Sequence, residues 1–322
     1  MITREKIFAV ILNYNAGKDT VECLKSLLNV SYENLNLVVL DNNSPDNSMD
    51  YIKEWFKNRE IPFDFCDLSV EEFESFSGKD NSKITLIQTG TNKGYGHGNN
   101  IGIKYALKNG ADYVLILNND TVVSPDFIKP LLDTCRNDGN VGIAGGKIYF
   151  SDKPDTIWFN GGAFHEWTGK VEHFNFKEKD VGQIPPKEIT FITGCMWLVP
   201  RQVFEKVGFI NEEYFMYVED LEFCYRVRKA GYKLAVNPES RIWHKIGGSS
   251  DGHLSPFSVF WTGKNTVLFI RQNYNSFIKK IVAVSFVIIH GFFKFAKKRN
   301  MKLLKSFLKG SFYGIVQRKE KK

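Results

Sequence analysis

Apolar runs rich in branched residues alternate with amphipathic stretches along the first part of the chain. The runs at 7–12, 35–40, 84–87 and 113–117 are dominated by Ile, Leu and Val, whereas apolar residues recur at helical spacing between the first two. Such runs are typical of strands that are buried on both faces of a sheet. Their alternation with helices predicts an α/β fold built on a mostly parallel, Rossmann-like doubly wound sheet.

Polar side chains follow two of these predicted strands at the point where each strand ends. The run at 113–117 leads into Asn118, Asn119 and Asp120, and the run at 35–40 leads into Asp41. A single Asp in such a position is typical of a turn or a helix cap. Because ligands of open α/β sheets bind beyond the carboxyl ends of the strands, the repeated pattern predicts one shared binding crevice.

A glycine-rich loop at 92–100 connects the third apolar run to the next predicted helix. Its spacing does not match the Gly-x-Gly-x-x-Gly dinucleotide fingerprint, because the third glycine would fall at Asn99 when counted from Gly94 and at Ile101 when counted from Gly96. Free backbone N–H groups at a helix start nevertheless suit a phosphate. A plain connecting loop is the alternative.

The second half of the chain is less regular. Aromatic residues alternate with glycine and charged residues over 151–186, which predicts antiparallel hairpins. A strand is predicted over 189–199, where Gly194 marks a bulge or a close backbone approach. A helix is predicted over 258–273.

In the first half of the chain, residues 59–83 show little periodicity and are predicted to form a surface insertion.

Glu219 and Asp220 stand side by side at the start of a predicted helix, where acids interact favourably with the helix dipole. An N-terminal cap is the alternative, but it accounts for one acid more readily than for two. His244 ends another short apolar run before a glycine turn. A structural role is the alternative to metal binding for a single histidine.

Basic residues are concentrated at the end of the chain. Residues 277–322 hold 13 Lys and Arg against one acid, which leaves 30 basic and 35 acidic residues in 1–276, although the whole chain carries +7. An anionic substrate of the body would therefore need a metal ion or local cations, and the tail favours an anionic surface. No base-reading motif or aromatic stacking platform accompanies the tail in the sequence, so nucleic acid is not expected as a partner.

The tail combines this charge with apolar segments. The run at 281–293 corresponds to ~20 Å of helix, which is too short for the ~30 Å hydrocarbon core of a bilayer. Beyond it, apolar residues lie on one helical arc and lysines lie opposite, which predicts an interfacial anchor on an anionic membrane; a helix that packs on the body is the alternative. The apolar arc is Leu303, Leu304, Phe307, Leu308 and Phe312, and the basic arc is Lys298, Lys302, Lys305 and Lys309.

The five cysteines are scattered and form no Cys-x-x-Cys pair. They indicate neither a disulfide framework nor a zinc site and favour a reducing compartment. The apolar run near the amino terminus is too short for the core of a signal peptide. Together with the tail, these features predict a cytoplasmic protein that is peripheral on the inner face of the cell membrane.

Seven short motifs in this order resemble those of family 2 glycosyltransferases of the GT-A fold. The resemblance covers about residues 5–275 and is nearest to the rhamnosyltransferase-like group that builds bacterial surface polysaccharides. The motifs are Asn13-Tyr-Asn15, Asp41-Asn-Asn-Ser44, the glycine-rich loop at 92–102, Leu117-Asn-Asn-Asp120, Thr193-Gly-Cys-Met196, Phe215-Met-Tyr-Val-Glu-Asp220 and Trp243-His-Lys245.

The resemblance implies an inverting transfer of a sugar from a nucleotide-diphosphate donor to a hydroxyl of a glycan or lipid-linked acceptor. It implies a dTDP- or UDP-sugar, with dTDP-rhamnose as the leading donor. By the same resemblance, Asp220 is the general base, and Asp120 with His244 holds Mg²⁺ or Mn²⁺. The donor residues would be Asn13, Asn15, Asp41 and Asn43 around the nucleoside, and Lys93, Asn99, Asn119, Asp120 and Lys245 along the ribose, diphosphate and sugar. The acceptor side would be formed by Gly194, Trp197 and Glu219.

Two features depart from the family pattern. The metal motif is commonly Asp-x-Asp, and Asn118 stands at the first acid, which removes a negative charge next to the cation. The 59–83 insertion is also longer than usual. Two other functions stay open, namely a sugar nucleotidyltransferase and a non-catalytic nucleotide-sugar-binding protein. A sugar nucleotidyltransferase is expected to carry basic residues in its first loop, and residues 13–17 contain no Lys or Arg.

The resulting division has two parts. A GT-A domain is predicted over 1–276, with a nucleotide-sugar-binding half at 1–123 and an acceptor and catalytic-base half at 124–276. A basic amphipathic helical tail is predicted over 277–322.

Overall fold

The computed structural model describes residues 5–67, 83–245, 254–297 and 299–317. Its centre is a ten-stranded sheet, accompanied by a two-stranded hairpin. The strands are β1 (Ile7–Asn13), β2 (Leu35–Asp41), β3 (Asp64–Asp67), β4 (Ile84–Gln88), β5 (Tyr113–Asn118), β6 (Thr121–Val123), β7 (Val141–Phe150), β8 (Lys153–Phe159), β9 (Gly162–His165), β10 (Lys170–His173), β11 (Met196–Pro200) and β12 (Lys233–His244). The helices are α1 (Gly17–Leu27), α2 (Ser48–Lys57), α3 (Tyr95–Lys108), α4 (Ile128–Asn137), α5 (Arg201–Val207), α6 (Glu219–Lys229), α7 (Pro256–Asn273), α8 (Phe277–Lys297) and α9 (Met301–Val316).

The sheet is mixed but mostly parallel. Its order is β3-β4-β2-β1-β5-β11-β7-β12-β6, and β8 pairs with β7. The strands from β3 to β5 are parallel, whereas β11 runs antiparallel to its neighbours β5 and β7. The predicted mostly parallel α/β sheet with an antiparallel second part is therefore confirmed, and its parallel strands deliver their carboxyl ends to one edge.

The glycine-rich loop reaches this edge because α3 lies close against the sheet. A Cβ on Gly98 would lie 2.5 Å from Leu12 Cδ1, and one on Gly102 would lie 2.6 Å from Val10 Cγ1. Separations this short do not occur between carbon atoms in packed proteins, so a larger residue at either position would have to displace these side chains. The start of α3 is thereby held beside the ends of β1 and β2.

Two predicted segments differ from the structure. Residues 59–83 are not a surface insertion throughout, since β3 lies within them as a strand paired with β4, and residues 68–82 lie outside the described ranges. The strand predicted over 189–199 begins only at Met196. Gly194 instead lies in the preceding turn, and the atoms nearest to a Cβ there would be side-chain atoms, Asp220 Cβ at 3.3 Å and the Tyr95 hydroxyl at 3.4 Å.

The three C-terminal helices pack on one another, and a cluster of buried apolar side chains between them adjoins the larger core around the sheet. Helix α9 lies tightly on α7, since a Cβ on Gly310 would be 2.1 Å from Phe260 O. Leu303, Leu304 and Phe307 are buried. Part of the apolar arc predicted for membrane contact therefore packs on the body, whereas Leu308 and Phe312 of that arc are exposed. The domain boundary at 276–277 stays a prediction. None of the described helices has the length and apolar character required to cross a bilayer.

Candidate active site

Asp41 organises the carboxyl ends of β1 and β2. Its side chain accepts hydrogen bonds from Asn13 Nδ2 at 2.6 Å, from Ser44 Oγ at 2.6 Å and from the Ser44 backbone N–H at 2.9 Å. The residue is 1 % exposed. A carboxylate with three donors is held in one orientation, so Asp41 fixes the loop after β2.

A hydrogen-bond chain continues from this carboxylate to the end of β5. Thr20 Oγ1 donates to Asn13 Oδ1 at 2.8 Å and accepts from Asn119 Nδ2 at 2.9 Å. Sequence reasoning missed Thr20 and Ser44. Thr20 could have been found as a hydroxyl side chain among the buried positions of α1. Ser44 could have been found as the serine that ends the motif beginning at Asp41.

Asn15 and Asn43 have left-handed backbones, with φ values of 54° and 57°. Asparagine accepts this conformation more readily than other non-glycine residues. Asn15 also donates its backbone N–H to Ser44 Oγ at 2.9 Å. A cavity of about 390 Å³ opens beside these loops, and Asn15 contributes to it. Its lining is Asn15, Ala16, Gly17, Lys18, Asp19, Asp46, Asn47, Ser48 and Tyr51.

Three predicted donor residues have other surroundings. Lys93 is exposed on the loop before α3. Asn99 is buried, and its Nδ2 donates to Tyr95 O within the helix at 3.0 Å. Lys245 Nζ lies 2.9 Å from Asp19 Oδ1 and also contacts Glu22. The structure therefore brings Asn13, Asn119 and Asp41 together. It places the side chains of Lys93, Asn99 and Lys245 outside the hydrogen bonds that join them.

Asp120 and His244 come together because β6 pairs antiparallel with β12, which sets His244 opposite Thr121. Asp120 Oδ1 and His244 Nε2 are 3.1 Å apart, and both residues are 8 % exposed. Among the described residues, neither Asp120 Oδ1 nor His244 Nδ1 has a hydrogen-bond partner. A buried carboxylate oxygen and an imidazole nitrogen at this separation fit two ligands of one divalent cation.

Further ligands for such a cation would have to come from elsewhere. Within the described ranges, no three His, Cys, Asp or Glu side chains form a metal-binding group. Mg²⁺ and related cations are often held by one or two carboxylates, with substrate phosphates and water completing the shell. The two side chains therefore fit a cation that is bound together with a phosphorylated substrate.

Asp220 opens α6 as a partly exposed carboxylate. Its Oδ2 accepts the backbone N–H of Gly194 at 3.2 Å, and its Oδ1 accepts the N–H of Leu221 at 2.8 Å. Burial raises the pKa of Asp220, while these N–H donors oppose the shift. A held carboxylate with a raised pKa is a stronger proton acceptor than an ordinary Asp.

Glu219 is the more deeply buried acid of the pair, and its Oε2 has no hydrogen-bond partner among the described residues. Burial, followed by the charge of Asp220, raises the pKa of Glu219 well above its ordinary value. Two adjacent acids in one site do not ionise together easily. We infer that Glu219 is the protonated member and Asp220 the ionised one.

Tyr95 joins the two sides of the site and was missed by sequence reasoning. Its hydroxyl donates to Gly194 O at 2.9 Å and lies 3.4 Å from Asn118 Oδ1. Burial raises the pKa of Tyr95 well above its ordinary value. The hydroxyl therefore stays protonated and links the end of β5 to the turn that holds Asp220.

The turn before α6 is strained. Tyr217 and Val218 have left-handed φ values of 68° and 75°, which are unfavourable for a β-branched residue. Asn265 of α7, which is fully buried, donates its Nδ2 to Met216 O and Tyr217 O at 2.9 Å each. On the other side, a Cβ on Gly94 would lie 2.1 Å from Phe215 O. The loop that delivers Glu219 and Asp220 is thus held between α7 and the glycine-rich loop.

The structure does not bring Trp197 to the acceptor side. Trp197 is 0 % exposed, donates its Nε1 to Ile192 O at 3.0 Å and stacks on Phe223. It is a core residue, because the side chain points into the packing between β11 and α6. Gly194 does lie beside Asp220, since a Cβ there would be 3.3 Å from Asp220 Cβ.

Replacing Glu219 by glutamine is expected to raise the free energy of unfolding at pH 8 by about 1 kcal/mol or more, since one pKa unit corresponds to about 1.4 kcal/mol. The folded pKa of Glu219 is raised, so its destabilising effect is absent below the unfolded pKa and grows as the pH rises toward the folded pKa. Urea unfolding at pH 5 and pH 8 measures the difference. Glu188→Gln, at an exposed acid, is the control. If the gain in the free energy of unfolding for Glu219→Gln is the same at pH 5 and pH 8, the raised pKa of Glu219 is contradicted.

The chain was compared with proteins of known sequence and structure. The family profile described as "Glycosyl transferase family 2" matches residues 8–208. The chain is 27% identical over 322 residues to dTDP-rhamnosyl transferase RfbF of Shigella flexneri, which covers 96% of this chain and 95% of that protein. It is 26% identical over 222 residues to N-acetylglucosaminyl-diphospho-decaprenol L-rhamnosyltransferase of Mycobacterium tuberculosis, covering 60% of this chain and 68% of that one.

Solved structures show the same fold at lower identity. The mannosyltransferase PcManGT of Pyrobaculum calidifontis, solved in complex with GDP-Man and Mn²⁺, superimposes with a TM-score of 0.55 at 12% identity over 98% of this chain and 85% of that one. The mostly parallel sheet, the polar strand ends and the profile match agree with one another. The chain is a glycosyltransferase and belongs to glycosyl transferase family 2.

Proposed function

We propose that this protein is an inverting glycosyltransferase that transfers a sugar, rhamnose in the leading case, from a dTDP- or UDP-sugar to a hydroxyl of a glycan or lipid-linked acceptor. This transfer would be a step in the synthesis of cell-surface polysaccharide. Similarity over nearly the whole chain to a dTDP-rhamnosyl transferase supports the sugar. The observation that carries the proposal is that Tyr95 links the Asn118 end of β5 to the Gly194 turn, whose N–H holds Asp220.

In this proposal, the donor lies across the carboxyl ends of the parallel strands. Asp41, Asn13, Asn15 and Asn43 surround the nucleoside through the loops after β1 and β2. Support comes from the hydrogen-bond chain that joins Asp41 to Asn119, since it fixes both strand ends in one arrangement. The residues proposed along the ribose, diphosphate and sugar are Lys93, Asn99, Asn119, Asp120 and Lys245.

Asp220 would act as the general base. It accepts the proton of the acceptor hydroxyl while that oxygen attacks C1 of the donor sugar. The bond between C1 and the diphosphate oxygen breaks on the opposite face, so the nucleoside diphosphate leaves and the configuration at C1 inverts. The N–H of Gly194 orients the carboxylate, and Glu219 beside it, kept neutral by burial, adds no second charge on the acceptor side.

Asp120 and His244 would hold Mg²⁺ or Mn²⁺ at the end of β5. Such a cation would neutralise the charge that develops on the departing diphosphate. The first 276 residues have an excess of acids, which makes a bound cation there useful for an anionic donor. Asn118 occupies the position of the first acid in the Asp-x-Asp motif, so Asp120 is the single acid of the motif. We therefore expect weaker cation binding than at a site with two acids.

The test is a donor screen with the full chain. Release of nucleoside diphosphate from UDP- and dTDP-sugars is measured with Mn²⁺, with Mg²⁺ and with EDTA, first without and then with a candidate acceptor. We expect donor-selective, metal-dependent release that an acceptor accelerates, and an inverted linkage in the product. Nucleotide binding without any turnover in the presence of acceptors would instead indicate a non-catalytic binding protein.

Helix α8 is proposed to rest on an anionic membrane surface, together with the rest of residues 277–322, on the cytoplasmic face. Several large apolar side chains of α8 are exposed, among them Phe277 at 74 %, Ile278 at 68 % and Phe293 at 65 %. Lysines flank them at both ends of the helix. Amphipathic helices of this kind bind bilayers through apolar burial and attraction to anionic lipids.

Replacing Phe277, Ile278 and Phe293 together by serine is expected to lower partitioning onto anionic vesicles by about tenfold or more, because each buried CH₂ contributes ~0.8 kcal/mol. Sedimentation with vesicles that contain phosphatidylserine measures the effect. A triple variant at exposed apolar residues of the body, Phe65, Val181 and Ile184, is the control. Equal losses of vesicle binding in both triple variants would contradict the proposal that α8 binds the membrane.

Asn265 is expected to position the base without touching substrate. Asn265→Leu removes both hydrogen bonds to the strained turn, and displacing a catalytic group by ~1 Å can cost about 10²-fold in rate. We expect kcat for transfer to fall about 10- to 100-fold with little change in KM for the donor. Asn109→Leu, whose Nδ2 donates to Tyr105 O at 2.8 Å at the end of α3, is the control. A change in donor KM without a change in kcat would contradict a positioning role.

A further inference from the structure

In the part of the chain that the structure describes, the second ring nitrogen of His244 lacks the partner that metal-binding histidines usually have. The first nitrogen, Nε2, lies 3.1 Å from Asp120 Oδ1. The second, Nδ1, is buried and has no hydrogen-bond partner among these residues. A histidine that binds a metal commonly donates this N–H to a carboxylate, a carbonyl or water, and the bond fixes the ring. Another group therefore has to fix the His244 ring.

The indole of Trp158 packs directly on this imidazole. The two ring centroids are 4.7 Å apart, and the ring planes meet at 64°, so the contact is edge-to-face. This is one of the favoured arrangements of two aromatic rings. Both side chains are buried, with Trp158 7 % and His244 8 % exposed. The contact therefore restricts the orientation of the imidazole in a site that is shielded from solvent.

A bulge in β8 places Trp158 beside β12. Over residues 148–150, β7 pairs with β8 on one edge and with β12 on the other. The register of β8 against Ile148 and Tyr149 shifts by one residue, which leaves Trp158 as the extra residue of the bulge. Bulges of this kind redirect a side chain and are frequent next to active sites. The backbone of β8 is thus shaped so that Trp158 reaches His244 across β7.

The β9–β10 hairpin supports the indole from another side. His173, at the end of β10, packs edge-on against Trp158 with ring centroids 5.6 Å apart and planes at 84°. The His173 ring in turn stacks on Phe191 at 5.8 Å. Trp158 is therefore enclosed by rings from separate elements and is itself held in one position, as a group that orients another side chain has to be.

We propose that Trp158 is a positioning residue for the cation site. Its indole holds the His244 imidazole with Nε2 toward the cation, and its aromatic face accepts the Nδ1–H in place of an oxygen acceptor. This inference rests on the proposed function, in which Asp120 and His244 hold Mg²⁺ or Mn²⁺. A neutral imidazole that binds a cation through Nε2 carries its hydrogen on Nδ1, and aromatic rings accept weak hydrogen bonds from N–H groups.

The composition of the site makes the orientation of His244 important. Asn118 stands at the position of the first acid of the metal motif, so Asp120 and His244 are the two protein ligands that the proposal gives the cation. When one of two ligands is a histidine, a tilted ring weakens a large part of the protein's hold on the metal. Cation affinity should therefore depend on Trp158, although Trp158 would not touch the cation.

The test is calorimetric titration of the full chain with Mn²⁺ in the presence of UDP. Trp158→Leu should weaken Mn²⁺ binding about 10- to 100-fold, the range found when a group that orients a metal ligand is removed. Trp158→Phe keeps an aromatic ring and should bind Mn²⁺ within about threefold of the unaltered chain. Trp55→Leu is the matched control, since Trp55 is 8 % exposed and packs on Phe56 in α2. It should bind Mn²⁺ as the unaltered chain does.

The His244→Gln background separates positioning from a general effect on stability. There, Trp158→Leu should change Mn²⁺ affinity by less than about twofold, because both substitutions remove the same interaction. Losses that multiply would overturn the proposal. Equal Mn²⁺ binding by Trp158→Leu and Trp55→Leu would also overturn it, as would equal losses in Trp158→Leu and Trp158→Phe.

A spectroscopic measurement covers the case in which Trp158→Leu does not fold. The chain is labelled with fluorotryptophan, and Trp158→Phe assigns the Trp158 resonance in the fluorine NMR spectrum. Mn²⁺ with UDP should broaden this resonance in the unaltered chain and not in His244→Gln, because a paramagnetic ion at His244 lies next to the indole. Metal-dependent sugar transfer with a sharp Trp158 resonance would refute this inference alone. Broadening of the resonance without any sugar transfer would refute the proposed function.

Discussion

Asp220→Asn is expected to lower sugar transfer by about 10²–10⁴-fold, the range that a positioned general base contributes. The amide has nearly the same shape as the carboxylate and keeps an oxygen that can accept the N–H of Gly194. It cannot take the acceptor proton. Donor binding should therefore be unchanged, because Asp220 lies on the side of Gly194 and Tyr95 and outside the Asp41–Asn13 chain of hydrogen bonds.

The measurement is the transfer rate with saturating donor, beside nucleotide affinity by calorimetry. Asp126→Asn, at an exposed acid, is the matched control and should transfer at the normal rate. In the unaltered chain, the pKa of Asp220 is raised by burial, so transfer should fall with decreasing pH at a higher pH than for an ordinary Asp. Retention of transfer within tenfold of normal in Asp220→Asn would remove Asp220 from the role of base.

Asp120→Ala is expected to reduce both donor hydrolysis and transfer by about 10²-fold, since metal stabilisation of developing charge is worth several kcal/mol. The variant removes the buried oxygen that faces His244 Nε2 at 3.1 Å. The remaining imidazole is a weaker site for a hard cation. Part of the activity should return when the Mn²⁺ concentration is raised.

Metal binding gives a readout that does not depend on turnover. Mn²⁺ affinity in the presence of a nucleoside diphosphate is measured by calorimetry for Asp120→Ala and His244→Gln, with Asp152→Asn at an exposed acid as the control. Both site variants should bind Mn²⁺ more weakly than the control. If all three variants bind Mn²⁺ equally, the cation is held by other residues and Asp120 loses its proposed role.

Several features of the fold are encoded locally and could be predicted. The strand at 84–88 and the strand starting at Tyr113 are found as expected, because a branched apolar run specifies a buried strand through nearest neighbours alone. The polar residues after these runs lie at the carboxyl ends of parallel strands, which every such sheet gathers at one edge. The meeting of Asn13, Asp41 and Asn119 follows from this rule.

Other features depend on partners far away in sequence. Tyr95 and Gly194 are 99 residues apart, and Asn265 and Tyr217 are 48 apart. No periodicity reports which buried hydroxyl or amide meets which carbonyl, since this depends on how α3, α6 and α7 pack. For the same reason, the burial of Trp197 and the docking of α9 on α7 could not be read from a motif or a helical wheel.

The amino-acid sequence alone was sufficient for the fold class, for the family and for the acids at the strand ends and at the start of α6, because each is written in a short stretch of chain. The pairing of Asp120 with His244 and the clamped turn before Asp220 emerged only from the folded chain. They are made by side chains from separate elements, whose distances are set by packing of the whole core and not by local propensity.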